Sequence, residues 1–204
     1  MKALILVDIQ NDFLPGGALA SKNGNKILPI VNKILNHHFD LIVATKDWHP
    51  ADHESFAQVH NKTPGEVIDL HGLKQILWPV HCVQNSHGAE FSSGWDSSKV
   101  EKIFFKGTDK NIDSYSTFFD NGHRKSTGLE DYLRKKGIDE VYIAGLTTEY
   151  CVLYSALDAL NLGFKTFIVV DACSGVNLNK DDSKNALERM ESAGANLITS
   201  DQLQ

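Results

Sequence analysis

The sequence predicts an α/β fold in which a central, mainly parallel β-sheet is flanked by helices. Two observations support this prediction. Short apolar runs with the length of buried strands recur along the chain, and stretches with helical spacing lie between them. Strands that alternate with helices form βαβ units, whose strands are parallel and whose crossovers are right-handed. A chain of 204 residues has the size of one domain, so we expect a single domain over residues 1–204.

The strands are predicted from apolar runs rich in β-branched and aliphatic residues. Such runs are typical of parallel strands that are buried on both faces of a sheet. The predicted strands are Ala3–Val7, Leu41–Thr45, Lys102–Phe105, Val141–Ala144 and Thr166–Val170, with Ala195–Ile198 as a weaker sixth.

Four helices are predicted between and after these strands. Ile27–Asn36 places its aliphatic residues on one face, as an amphipathic helix does. The other three stretches each end at or near a glycine, which is a common C-terminal stop. They are Gly128–Lys136, Thr148–Leu162 and Asp182–Ser192.

The segment from residue 48 to residue 100 differs from the rest. It is rich in His, Gly, Pro and Ser, has little periodicity and contains all three tryptophans of the chain. A loop of this length inside a compact domain is usually functional or disordered, and the tryptophans and histidines favour a functional loop.

Composition restricts the classes of partner. The net charge is −6, and the sequence has no strongly basic stretch, which argues against a nucleic-acid partner. No apolar run approaches the roughly 20 residues that span a membrane. The three cysteines have no short repeated spacing, so we expect reduced thiols and a cytoplasmic protein. The sequence leaves open whether the chain forms a homo-oligomer.

Ligands of open α/β sheets bind beyond the carboxyl ends of the strands, which directs attention to the residues that follow each run. Cys151 follows the fourth strand and a short turn, at the start of the next helix. A helix start is expected to lower the pKa of a thiol, and free amides there can hold an oxyanion. The alternative is a small buried cysteine without a chemical role.

Asp8, Lys106 and Asp171 follow three other strands. If the strands of Asp8 and Lys106 are central and adjacent, both side chains emerge beside Cys151. A carboxylate there can accept the thiol proton, and an ammonium group can stabilise the thiolate. The alternatives are a turn cap for Asp8 and a solvated strand end for Lys106.

Asp47, His49 and His81 are candidate metal ligands. Asp47 and His49 lie two residues apart and point to the same side of an extended chain. Two imidazoles and a carboxylate suit Zn²⁺, Fe²⁺ or Mn²⁺. The spacing is not diagnostic, and hydrogen-bonded loop histidines are the alternative. His53 is a candidate additional ligand, and Cys82 a weaker one.

Three aromatic residues could line a flat apolar slot for a ring, although each is equally explained as core. They are Phe13, Trp78 and Tyr115.

Taken together, these residues stand in motifs that resemble those of the nicotinamidases, which are members of the isochorismatase-like cysteine hydrolases. The motifs follow in order over nearly the whole chain, and each is weak alone. They are Val-Asp-Ile-Gln-Asn-Asp-Phe (7–13), Thr-Lys-Asp-Trp-His-Pro (45–50), Trp-Pro-Val-His-Cys-Val (78–83), Lys-Gly-Thr-Asp (106–109), Ile-Asp-Ser-Tyr-Ser (112–116) and Gly-Leu-Thr-Thr-Glu-Tyr-Cys-Val (145–152).

The resemblance implies an isochorismatase-like three-layer fold and an enzyme that hydrolyses nicotinamide to nicotinate and ammonia through a thioester on a cysteine. It also implies activity on pyrazinamide and a role in NAD salvage. The implied residues are a triad of Asp8, Lys106 and Cys151, an oxyanion hole from the amides of Thr147 and Cys151, a ring site of Phe13 and Trp78, and one divalent metal, Zn²⁺ first, on Asp47, His49 and His81.

A cis peptide bond between Leu146 and Thr147 is implied as well. Two positions depart from the family pattern, which commonly has Ala where this chain has Thr147 and Asp where it has Glu149.

Other functions are weighed against this one. A hydrolase of the same fold that acts on isochorismate, N-carbamoyl or ureido compounds would generally lack the metal trio. A catalytically inactive ligand-binding relative would keep the fold, because fold alone does not establish function. A redox thiol protein is disfavoured by the absence of a Cys-x-x-Cys pair.

Overall fold

The computed structural model describes residues 1–203, which form a six-stranded parallel sheet between two layers of helices. The strands are β1 (Lys2–Val7), β2 (Leu41–Asp47), β3 (Val67–Leu70), β4 (Leu73–Ile76), β5 (Lys102–Lys106), β6 (Glu140–Leu146), β7 (Lys165–Ser174) and β8 (Asn196–Ile198). The α-helices are α1 (Ile27–Ile34), α2 (Leu129–Lys135), α3 (Leu153–Asn161) and α4 (Asp182–Ser192).

The sheet has the strand order β5-β2-β1-β6-β7-β8, and every neighbouring pair in it is parallel. All six predicted strands and all four predicted helices are present, so the predicted α/β class is confirmed. Among the strands, the largest difference in length is at β7, which continues four residues beyond the predicted end at Val170 to Ser174.

The antiparallel hairpin of β3 and β4 was not predicted. It lies within the segment that was interpreted as a loop. Most residues of its strands are exposed or half-buried, with Val67 60% exposed, and the strands lack the apolar run that identifies a buried strand.

Successive side chains of a strand point to opposite faces of the sheet, and each face is covered by one layer of helices. On β1, Ala3, Ile5 and Val7 pack into the core under α2, α3 and α4, whereas Leu4 and Leu6 pack into the core under α1. Because both faces of the sheet are covered, the central strands are buried along their length.

The carboxyl ends of four strands converge at one edge of the sheet. β1 and β6 lie side by side at the centre, where the chain order changes direction, and β2 and β5 follow on one side. Such a switch point is where open α/β sheets bind ligands. The condition that the strands of Asp8 and Lys106 are central and adjacent is not met, because β2 lies between β1 and the edge strand β5.

Among residues 1–203, no helix is long and apolar enough to cross a membrane.

Candidate active site

Asp8, Lys106 and Cys151 meet at the carboxyl edge of the sheet. The Lys106 Nζ lies 2.8 Å from Asp8 Oδ2 and donates a hydrogen bond of 3.3 Å to the Cys151 Sγ. The Thr45 hydroxyl donates a hydrogen bond of 2.7 Å to the other oxygen of Asp8. A lysine on the edge strand reaches this cluster because its side chain extends past β2, where the carbonyl of Ser114 also accepts a hydrogen bond from it at 3.1 Å.

The protonation states of Asp8 and Lys106 depend on their burial and on the charges of their neighbours. Burial raises the pKa of Asp8 to about 6, although the charge of Lys106 opposes the shift. Burial would lower the pKa of Lys106, but the charges of Asp47 and Asp8 outweigh it and hold that pKa well above the ordinary value. At neutral pH the site therefore contains a carboxylate on Asp8 beside an ammonium group.

The expected lowering of the pKa of Cys151 is wrong. Cys151 lies in a π-helical turn, Thr148–Val152, and the regular helix α3 begins only after it. Burial raises the pKa of the Cys151 thiol well above its ordinary value, and the charge of Lys106 offsets only part of this. The site thus holds a neutral thiol, which needs a proton acceptor before it can act as a nucleophile. Asp8 is near enough to serve, since ligand atoms of Asp8, Asp47 and Cys151 all lie within 4.8 Å of one another.

A second cluster, of Asp47, His49 and His81, adjoins the first. Asp47 Oδ2 lies 3.6 Å from His49 Nε2 and 3.8 Å from His81 Nε2. The Nδ1 atoms of the two histidines face backbone carbonyls, of Gly107 at 3.0 Å and of Pro79 at 2.8 Å. Each Nδ1 therefore carries the hydrogen, and each Nε2 is left with a lone pair.

These three residues fit a metal ion. The His49 Nε2 is buried and has no hydrogen-bond partner, and the ligand atoms of the trio lie within 4.8 Å of one another. A carbonyl that fixes the tautomer of a histidine is the usual support of a metal ligand. Gly107 is required here, because a Cβ at that position would lie 2.6 Å from His49 Nδ1.

His53 differs from His49 and His81 in its tautomer. The backbone N–H of Ser55 donates to His53 Nδ1 at 3.1 Å, so this nitrogen is an acceptor and the hydrogen belongs on Nε2. An Nε2 that carries hydrogen has no lone pair for a metal. His53, His49 and Asp113 do form a second close group, and the His53 Nε2, like that of His49, is buried without a hydrogen-bond partner. Only the contact of His53 Nδ1 with Ser55 counts against a ligand role.

A cavity opens beside the two clusters, with about 300 Å³ of empty space when the open solvent at its mouth is included. Asp47, His81, Thr147 and Cys151 all line it. The aromatic residues predicted to hold a ring also line it, as do several that were not predicted. The aromatic residues are Phe13, Trp78 and Tyr115, and the further lining residues are Leu19, Asp113, Tyr150 and Val176.

The sequence contained only weak indications of the lining residues that were not predicted. Asp113 and Tyr150 stand inside the quoted motifs, next to residues that were selected. Val176 follows the true end of β7, but the predicted end led to Asp171 instead. Asp171 lies away from the cavity wall, where its carboxylate accepts hydrogen bonds of 2.8 and 2.7 Å from Ser200.

Uncommon backbone conformations occur at this edge of the sheet and in the loop that follows β4. The peptide bond between Leu146 and Thr147 is cis, as the resemblance implied, and Asp8 has a positive φ of 49°. Aspartate tolerates the left-handed region better than most residues do. Cys82 also has a positive φ, of 45°, and its thiol is buried 3.9 Å from the Gly88 carbonyl.

Comparison with known proteins agrees with this geometry. The model of the isochorismatase domain family matches residues 2–202. The chain is 45% identical over 201 residues to the Escherichia coli protein named nicotinamidase, which covers 97% of this chain and 94% of that protein.

Two solved structures extend the comparison. A nicotinamidase and pyrazinamidase from Acinetobacter baumanii superposes with a TM-score of 0.95 at 43% identity, covering 100% of this chain and 98% of the other. A pyrazinamidase from Pyrococcus horikoshii in complex with zinc has a TM-score of 0.78 at 39% identity and covers 97% and 98% of the two chains.

The fold and the site define an isochorismatase-like hydrolase, and the chain belongs to the isochorismatase family. Within that family, its full-length similarity is to the nicotinamidases.

Proposed function

We propose that the protein is a nicotinamidase that hydrolyses nicotinamide to nicotinate and ammonia through a covalent thioester on Cys151. One observation carries the proposal: Cys151, Asp47 and His81 line a single cavity, with Asp8 in the same close group as Cys151 and His49 in the same close group as His81. The position of the thiol suits attack on a carboxamide, and the flat aromatic walls suit the ring that bears it.

The first half of the reaction transfers the acyl group to sulfur. As Cys151 attacks the carboxamide carbon, Asp8 accepts the thiol proton, because the pKa of the thiol is too high for a resting thiolate. The amides of Thr147 and Cys151 stabilise the oxyanion. Asp8 then gives its proton to the departing amine, so that ammonia leaves and a thioester remains.

The second half returns the enzyme to its starting state. Asp8, again a carboxylate, removes a proton from water as the water attacks the thioester. Asp8 then returns this proton to the departing sulfur, which restores the Cys151 thiol, and the acid product loses its own proton to solvent and leaves as nicotinate. A carboxyl group with a pKa of about 6 suits both directions of proton transfer near neutral pH. Lys106 keeps its charge throughout and balances the carboxylate and the developing thiolate.

Asp47, His49 and His81 would hold one divalent ion, for which Zn²⁺ is the first candidate and Fe²⁺ or Mn²⁺ are alternatives. When bound, the ion supplies a Lewis acid for a ring nitrogen of the substrate. Pyrazinamide carries a carboxamide on a ring with nitrogen, so we include it among the substrates. We place the reaction in NAD salvage in the cytoplasm.

The test is a substrate panel with ammonia release as the readout. Nicotinamide and pyrazinamide should be hydrolysed, whereas benzamide, which matches nicotinamide in size but lacks the ring nitrogen, should show a much higher KM. N-Carbamoyl and ureido acids should yield no ammonia. Efficient hydrolysis of those acids, with nicotinamide untouched, would favour the other hydrolases of this fold.

A further inference from the structure

The ring cavity has an aliphatic wall that belongs to neither cluster of reactive residues. Leu19, in the loop after β1, and Val176, after β7, both line the cavity that contains Cys151. Both side chains are half-buried, and neither carries chemistry. These two side chains can therefore affect only the shape of the cavity. That shape depends on the contacts that hold the two loops in place.

Glu149 holds the loop of Val176. Its Oε1 accepts a hydrogen bond of 2.5 Å from the backbone N–H of Asn177, and its Oε2 lies 3.4 Å from the Ser183 hydroxyl. The Asn177 side chain in turn accepts a hydrogen bond of 3.0 Å from the Ser183 amide at the start of α4. Glu149 itself is only 7% exposed, whereas Asn177 lies at the surface.

The backbone of the loop packs directly on this carboxylate. A Cβ on Gly175 would lie 2.2 Å from Glu149 Oε2 and 2.0 Å from the Ser183 hydroxyl, so a side chain there would displace both groups. One residue earlier, the Ser174 hydroxyl lies 2.6 Å from that of Ser21, which connects the loop to the segment of Leu19. Val176 is thus fixed between two anchored neighbours.

Glu149 belongs to the same π-helical turn as Cys151 but faces a neighbouring surface groove, with Asp182 and Arg189. It therefore acts on the cavity through Val176.

We infer that Glu149 is a positioning residue that holds Val176 against the substrate ring and thereby restricts the site to carboxamides of small, unsubstituted rings. The inference rests on the proposed function, because it presumes that the cavity binds a pyridine ring. A ring substituent directed at Val176 would clash with its side chain. The loop cannot move away while the hydrogen bond between Glu149 and the Asn177 amide is intact.

The experiment compares Glu149→Ala, Glu149→Gln and the control Glu188→Ala, which removes an exposed glutamate of α4 whose side chain is 63% accessible. The substrates are nicotinamide and its 5-methyl and 6-methyl derivatives. Glu149→Ala should raise the KM for nicotinamide about tenfold, the order expected for loss of a hydrogen bond to a charged acceptor, and should change kcat much less.

The same variant should raise the kcat/KM for at least one methyl derivative, relative to nicotinamide, by about tenfold. Glu149→Gln should restore both quantities, because its amide oxygen can still accept from Asn177, and Glu188→Ala should match the parent. A parental KM and parental ring selectivity in Glu149→Ala, or a Gln variant no better than Ala, would overturn the inference.

Val176→Ala provides an independent test if Glu149→Ala does not fold. Trimming the wall itself should raise the relative kcat/KM for a methyl derivative, and unchanged selectivity would contradict the assignment. A parent enzyme that releases no ammonia from nicotinamide would instead refute the proposed function, so the two failures are distinguishable.

Discussion

Asp47 and Lys106 form a buried ion pair that joins the two halves of the site. One carboxylate oxygen of Asp47 accepts a hydrogen bond from the Lys106 ammonium group, and the other faces the imidazoles of His49 and His81. Because Lys106 also contacts Asp8 and Cys151, a single lysine links the proton acceptor and the thiol to the candidate metal ligands. The charge of Lys106 in turn holds the pKa of Asp47 well below its usual range, against the effect of burial.

Removal of this lysine should destabilise the fold in a pH-dependent way. Lys106→Met leaves two buried carboxylates without a cation, and breaking a buried ion pair typically costs about 3–5 kcal/mol. The pKa of Asp8 should rise further in this variant, so the folded state binds more protons than the unfolded chain does. Stability then falls as pH rises.

Urea unfolding of Lys106→Met at pH 5 and pH 8 should show a larger loss of unfolding free energy at pH 8. Adding Asp8→Asn should recover part of that loss, since it removes one unpaired charge. Equal losses at both pH values, with no recovery in the double variant, would show that Lys106 does not neutralise these carboxylates.

The acidic side of the pH–rate profile should report Asp8. Burial raises its pKa to about 6, and only the carboxylate form can accept the thiol proton. Consequently kcat/KM for nicotinamide should fall as pH drops below about 6, with the apparent pKa belonging to the interacting group of charges. Steady-state kinetics between pH 4.5 and pH 8 provides the measurement, and a kcat/KM that stays constant down to pH 4.5 would exclude this role for Asp8.

The metal content of purified variants should distinguish the histidines that bind the ion from His53. His49→Gln and His81→Gln each remove an Nε2 lone pair from the Asp47 group and should lose most bound metal. His53→Gln should retain it, because His53 Nδ1 accepts from Ser55 and its Nε2 carries hydrogen. Elemental analysis of the purified variants measures this directly, without reference to activity.

Chelation of the parent protein should raise KM more than it lowers kcat, because the ion is expected to orient the ring. Unchanged metal content in His49→Gln, or unchanged kinetics in fully demetallated protein, would contradict the metal assignment.

Much of this arrangement is predictable from sequence because parallel strands bring their carboxyl ends together. Asp8 and Cys151 follow buried apolar strands, and their juxtaposition follows from the sheet alone. Lys106 is a harder case, since its strand is at the edge and only the length of its side chain brings it into the cluster.

The features that could not be predicted from the sequence depend on tertiary packing. The hairpin of β3 and β4 lacks an apolar run, and the extension of β7 to Ser174 moves the strand end from Asp171 to the loop of Val176. The pKa of Cys151 could not be inferred from its place before a helix, because burial dominates its surroundings.

The most direct test of the central claim is ammonia release from nicotinamide by Cys151→Ala, with Cys173→Ala as the matched control. Cys173 is a half-buried thiol of β7 outside the cavity wall described here, so its variant should keep the parental rate. Loss of a covalent nucleophile typically costs several orders of magnitude, so Cys151→Ala should lose about 10³-fold or more in kcat. Parental turnover by Cys151→Ala would contradict the account.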